Sequence, residues 1–349
     1  MDCREFDGQV VRLERIKEVA DQFVLVRLTR VDNEDLNLFE FDYDVTFMVF
    51  FLNAERQVYA RYGGRDAVNA DHRQSLDGLQ YTMKSVLAMH QRAQKEFAPK
   101  SQETPKYLRD LPAGGGMRRG GGRCLHCHQV KATLNADLQR KGLWTRDSVW
   151  RYPLPENLGF DLELHRGNVI KEVKDQTPAA HAGLQVGDLI QRLNGVPIHS
   201  FGDVQYALDI APKAGTIDIA WQRDGKAFKD KLALPEGWRK TDLTWRPSMQ
   251  RYIPSARLYG TDLTPEEKQA LGLSAKQLAF RQRDTVPTQA KDAGIRPGDI
   301  ILGVDDKPLE MDVNDFLRYV ERNYLIGDKL TVNLLRDGRR MSLAMTLQR

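Results

Sequence analysis

Along the chain the apolar positions change period several times, and each change marks an element. Phe6, Val10, Leu13, Ile16 and Ala20 recur at helical spacing, and Phe23 to Leu28 is a run of strand length, so a helix and then a buried strand are predicted at the start. Leu36 to Phe39 fits a short helical turn, Val45 to Leu52 and Gln57 to Tyr62 an antiparallel pair, and Leu76 to Phe97 a long helix. Phe201 to Ile210 and Val313 to Asn323 read as amphipathic helices. Each precedes a strand hairpin, Ile217 to Leu234 and Leu330 to Leu347, that turns at Asp224-Gly225 and Asp337-Gly338. Asp-Gly suits a two-residue hairpin because both positions must take positive φ.

The later elements belong to an internal repeat. Ala182-Gly183-Leu184 followed by Gly187-Asp188-Leu189-Ile190 recurs at the same spacing as Ala293-Gly294-Ile295 followed by Gly298-Asp299-Ile300-Ile301. In each copy a short helix ends on glycine, a Gly-Asp turn launches a strand, and a turn with proline follows, Asn194-Gly195-Val196-Pro197 and Asp305-Asp306-Lys307-Pro308. The arrangement resembles the PDZ family, in the bacterial order of periplasmic HtrA-type proteases, over residues 155–236 and 256–349. The resemblance implies that a protein or peptide C-terminus adds as a strand beside a helix, its carboxylate held by backbone N–H groups of a glycine-containing loop. That loop would be Asn157, Leu158, Gly159 and Phe160 in the first copy and Leu258, Tyr259, Gly260 and Thr261 in the second, where an insertion over 263–277 follows. No Gly-x-Ser-x-Gly context accompanies the histidines, so the resemblance is not expected to extend to proteolysis.

A length of 349 residues exceeds one ordinary core and implies two or three domains. With 41% hydrophobic and 29% charged residues the composition is that of a folded globular protein, and the longest apolar run, Val45 to Leu52, is far short of a membrane span. The near balance of 52 basic and 48 acidic residues argues against nucleic-acid binding, and Arg118, Arg119 and Arg123 among glycines read as a linker. Three cysteines are too few for a disulfide scaffold, so each calls for a chemical reason.

Cys124-Leu125-His126-Cys127-His128 has the Cys-x-x-Cys-His spacing of covalent haem c attachment. The two thiols would form thioethers and His128 would be the proximal iron ligand, with His90 and Met117 as candidates opposite. A zinc site would need two further ligands, and a redox dithiol would leave His128 without a role. Residues 98–150 then read as a Gly-rich linker and haem segment, and 237–255 as a second linker.

The pattern over residues 1–97 resembles a thioredoxin fold without its first strand. In that resemblance Cys3 is the second cysteine of a Cys-x-x-Cys motif, the resolving thiol, and the nucleophile falls just before Met1. The whole chain resembles a thioredoxin-like/PDZ domain-containing (seleno)protein family, which implies a cysteine or selenocysteine and a secretory leader upstream. The expected fold is multidomain, α/β plus mainly β. The expected function is that of an extracytoplasmic, periplasmic thiol or selenol redox protein with haem c, a redox partner protein and PDZ-mediated peptide recognition. The alternative is a non-catalytic PDZ scaffold or a haem electron-transfer or sensor protein.

Overall fold

The computed structural model describes residues 13–349 apart from 29–30, 32, 70, 93–94, 100–103, 113–126 and 349. The chain divides into two compact units, Met1–Thr241 and Asp242–Arg349.

In the first unit, helix α1 (Leu13–Ala20) precedes an antiparallel hairpin of β1 (Met48–Leu52) and β2 (Val58–Gly63). Helix α2 (Leu76–His90) follows, opened by Ser75, whose hydroxyl accepts from the Gly78 N–H, and then α3 (Cys127–Arg140). Ile16 and Val19 of α1, Phe51 and Tyr59 of the hairpin, and Met83 and Val86 of α2 close one core. Leu36, Phe41, Tyr43, Val45, Leu108 and Leu111 close another around Val130 of α3.

The thioredoxin-like expectation fails here in a definite way. Among the described residues the predicted strand Phe23 to Leu28 has no partner strand, and beyond Phe23, which packs on Phe51, its side chains face solvent, Val24 at 93% exposure and Val26 at 75%. The hairpin of β1 and β2 stands as a two-stranded sheet. A run of β-prone residues records a preference for a pleated, half-covered surface, and without a neighbouring strand that preference builds no sheet.

The first repeat continues the same unit with β3 (Phe160–Leu162), β4 (Ile170–Val173), α4 (Pro178–His181), β5 (Leu189–Leu193), β6 (Val196–Pro197), α5 (Phe201–Asp209), β7 (Gly215–Arg223) and β8 (Lys226–Leu234). Strands β3 and β4 pair with each other, and the remaining four are ordered β6-β5-β7-β8. Asp224 and Gly225 turn the β7–β8 hairpin at φ 49° and 77°, as the dipeptide requires.

The second unit carries the other copy: β9 (Gly260–Asp262), α6 (Pro265–Ala270), β10 (Phe280–Gln282), α7 (Thr288–Asp292), β11 (Ile300–Val304), α8 (Val313–Asn323), β12 (Lys329–Arg336) and β13 (Arg339–Thr346). The sheet order is β13-β12-β11-β10-β9, which leaves β9 at an edge. Phe280, Phe316, Val320 and Val332 lie at the centre of its core.

The repeated Gly-Asp turns gain a partner that the sequence pattern concealed. Arg223 donates from Nε to Asp188 at 2.6 Å and from Nη2 to the Gly183 oxygen at 2.8 Å. Arg336 does the same to Asp299 at 2.8 Å and to the Gly294 oxygen at 2.7 Å. Both arginines stand one residue before the Asp-Gly hairpin turn, so a single device ties the short helix, the Gly-Asp turn and the hairpin in each copy.

Candidate peptide-binding edges

In the second repeat, backbone register decides which groups are available. The Arg283 N–H donates to the Tyr259 oxygen at 2.9 Å, the Leu263 N–H donates to the Ala279 oxygen at 2.9 Å, and Thr261 pairs with Arg281 between them. Odd-numbered positions therefore bond to β10, and Gly260 and Asp262 direct their N–H and C=O groups to the outer edge. Among the described residues nothing is hydrogen-bonded to those outward groups. Gly260 can only be glycine, because a Cβ there would collide with the Phe280 ring and lie 2.6 Å from the Arg281 oxygen.

Helix α8 stands beside this edge. The Asp262 carboxylate accepts from the Val313 N–H at 3.0 Å, fixing the first turn of the helix to β9, and Leu317 and Tyr319 are only partly buried. Of the expected loop, Leu258 is fully buried and the Tyr259 N–H donates to Gln282 Oε1 at 3.2 Å, while Gly260 lies on the open edge. A separate cleft of about 800 Å3, lined by Tyr259, Thr261, Glu267, Arg281, Arg283 and Pro287, adjoins β9 without reaching α8.

In the first repeat the corresponding loop is wound into a short 3-10 turn, Pro155–Leu158. The Asn157 N–H donates to the Leu154 oxygen and the Gly159 N–H to the Glu156 oxygen, both at 3.1 Å. Gly159 sits at φ 92° against Thr177, where a side chain has neither room nor an easy backbone. Since the Lys174 N–H donates to the Gly159 oxygen at 2.8 Å, Phe160 and Leu162 are the residues whose backbone faces away from β4. Here the edge is engaged at Leu162. The Leu162 N–H is taken by Asp161 at 2.7 Å, and its oxygen accepts from Arg73 Nη1 at 3.1 Å.

Helix α5 is covered as well, all nine of its residues being buried. The Arg61 N–H of β2 donates to Asp203 Oδ1 at 2.7 Å, the Ser200 hydroxyl donates to the Arg61 oxygen, and the Arg61 guanidinium lies 3.5 Å from the centre of the Tyr206 ring. Gln205 Nε2 donates to the Arg65 oxygen at 3.1 Å, and Gly64 approaches Phe201 too closely for any side chain. Burial pushes the Asp203 carboxyl up to about 7 against the pull of Arg61 and the N–H groups it accepts from.

The residues expected to carry thiol and haem chemistry are placed differently. Cys3 and Cys124 lie outside the described residues, and Cys127 and His128 open α3. His90 is held by the Tyr59 hydroxyl, 2.7 Å from its Nδ1. Among the described residues two serine–histidine pairs occur, Ser85 with His199 at 2.7 Å and Ser75 with His165 at 2.9 Å, both through Nδ1. A serine protease's histidine presents Nε2 to the serine and Nδ1 to a carboxylate, so neither pair has triad geometry. Burial lowers the His199 pKa to about 4, and its Nε2 has no partner among the described residues.

Comparison with known proteins corrects the chemistry. Relatives include a probable periplasmic serine endoprotease DegP-like protein of Pseudomonas fluorescens, 25% identical over 52% of this chain and 37% of its own. A probable periplasmic serine protease do/HhoA-like protein of Haemophilus influenzae is 26% identical over 61% of this chain and 38% of its own. The chain thus spans well under half the length of these relatives. A solved HtrA-type protease AlgW with decapeptide aligns with 38% of this chain and 50% of its own at 18% identity and a TM-score of 0.25.

The relatives are serine proteases, which overturns the thioredoxin-like selenoprotein resemblance and the thiol or selenol redox function built on Cys3. It overturns haem c on Cys124, Cys127 and His128, and with it the redox partner. The spacing of a pentapeptide says nothing of the apolar wall a haem needs, and the wall beside α3 is already packed by Leu36, Phe41, Leu108 and Leu111. Among the described residues no group of three or more His, Cys, Asp or Glu is arranged to hold a metal. The periplasmic placement is borne out, since the relatives are periplasmic, although the haem argument for it does not stand. Residues 169–223 and 283–347 each match a family model for the PDZ domain, one in each repeat.

Proposed function

We propose that the chain is a periplasmic peptide-recognition protein that takes extended peptides, free C-termini among them, by strand addition to β9 of the second repeat. The observation that carries this is the outward-facing backbone of Gly260 and Asp262 beside α8. Main-chain hydrogen bonds to such an edge supply affinity for many sequences, and the neighbouring helix, through Leu317, supplies preference among side chains. In the expected loop over 258–261, the Gly260 N–H is the donor left for a terminal carboxylate, since that of Tyr259 is committed to Gln282. In the first repeat both outward backbone groups of Leu162, just beyond the loop over 157–160, are already engaged, so the reading assigns strand addition to the second repeat alone.

The test is fluorescence anisotropy of the full chain with a labelled decapeptide ending in a free phenylalanine. Saturable binding that weakens at least tenfold on amidating the terminus and is lost in Gly260→Val supports the reading. Equal binding by Gly260→Val overturns it.

A second reading, endoproteolysis, is favoured by the activity named for the relatives. Cleavage of casein together with covalent labelling by a fluorophosphonate would establish it. Intact casein and an unlabelled chain would remove it.

A further inference from the structure

The contact that closes the first repeat has the form of a bound ligand. Arg73 stands in the segment between β2 and α2, and its side chain is 7% exposed. Its Nε donates to Asp66 at 2.7 Å, its Nη2 to Glu156 at 2.9 Å and to Asp161 at 2.7 Å, and its Nη1 to the Leu162 oxygen at 3.1 Å. The guanidinium also lies over the Phe201 ring, 4.6 Å from its centre. Four of these five partners, Glu156, Asp161, Leu162 and Phe201, belong to the repeat, from both walls of the groove between β3 and α5.

We propose that this groove is an arginine-reading site, filled in cis by Arg73, and that an extended arginine-bearing peptide supplied in trans can take its place. The geometry selects arginine over lysine. A planar guanidinium reaches two carboxylates and a carbonyl in separate directions while its face rests on an aromatic ring, whereas an ammonium is a compact point charge that cannot do both. The carboxylates of Glu156 and Asp161 would otherwise be left with Lys171, which reaches Asp161 at 3.1 Å from an exposed position. Arg73 does not hold alone. Ser75 bonds His165 at 2.9 Å, Tyr81 bonds Asn168 at 3.0 Å, and Gly78 packs on the Leu164 oxygen. A tethered occupant acts at an effective concentration of order millimolar, so competitors need comparable concentrations until the tether is weakened. The inference concerns the first repeat and stands or falls separately from peptide addition to β9.

Hydrogen–deuterium exchange of the full chain tests it, with acetyl-Ala-Arg-Ala-amide as probe and its lysine counterpart as control. At about 10 mM the arginine probe should accelerate exchange over residues 71–81, with the lysine probe at least tenfold less effective. In Arg73→Gln, whose amide nitrogen falls where Nε stands and keeps a donor for Asp66 but none for the repeat, the arginine probe should act at a concentration at least tenfold lower than in the wild type. Adding Glu156→Gln and Asp161→Asn should abolish its effect. No acceleration in the wild type, or equal effects of the two probes, overturns the proposal whatever the variants do.

Discussion

Two copies of one repeat present the same edge in opposite conditions. In the second, Gly260 and Asp262 point their backbone groups outward and no described residue meets them. In the first, Leu162 has both groups engaged, by Asp161 and by Arg73, and helix α5 is wholly covered. The repeated device of Arg223 with Asp188 and Arg336 with Asp299 shows that the scaffolds themselves are built alike. A PDZ-like groove is therefore made available or withheld by what the rest of the chain lays over it.

The strongest way to break the contrast is Arg73→Ala. Removing it leaves Asp66, Glu156 and Asp161 around an empty buried position, and breaking such a buried network costs about 3–5 kcal/mol. Denaturant unfolding should show that loss in the transition of the first unit while the second keeps its midpoint.

Gly260→Val attacks the other side of the comparison. Its side chain meets Phe280 and the Arg281 oxygen, and overpacking of this kind costs about 1–3 kcal/mol. Peptide binding should disappear, and the unfolding of the first unit should be unchanged.

Arg223→Ala and Arg336→Ala test whether the scaffolds are equivalent. Each strips the charged partner from a buried carboxylate, Asp188 or Asp299, at a cost of about 2 kcal/mol. Similar losses in both copies fit the account, and a loss confined to one copy contradicts it.

The smallest effect is a pH dependence confined to the covered groove. Asp203 titrates at about 7 in the folded chain against 3.8 for an ordinary aspartate, so the folded state holds the proton more tightly. Its contribution to stability is full below about pH 4 and is lost as pH rises from there through 7, with about 1 kcal/mol of that loss falling between pH 6 and 8. Arg61 and the neutral His199 are the groups beside it. Asp203→Asn should flatten this part of the stability profile.

Much of the repeat was legible because its signals are local. The Asp-Gly hairpins, the helix over Val313–Asn323 and the Gly-Asp turns are fixed by residues within a few positions of one another, and they form where periodicity and turn chemistry place them. The cover was not legible, since Arg73 meets Glu156 and Leu162 across more than eighty positions of chain. Patterns that specify only a stretch also misled. Phe23 to Leu28 has strand composition and lacks a strand to pair with, and Cys124 to His128 has a haem spacing that the relatives do not support. The arginines paired with Asp188 and Asp299 could have been found, because both precede an Asp-Gly turn at the same offset.

Amide-resolved hydrogen exchange with the free-terminus decapeptide tests the central contrast most directly. The account predicts new protection at Gly260 and Asp262 with no change at Phe160 and Leu162. Protection at Phe160 and Leu162 with none at Gly260 and Asp262 would contradict it.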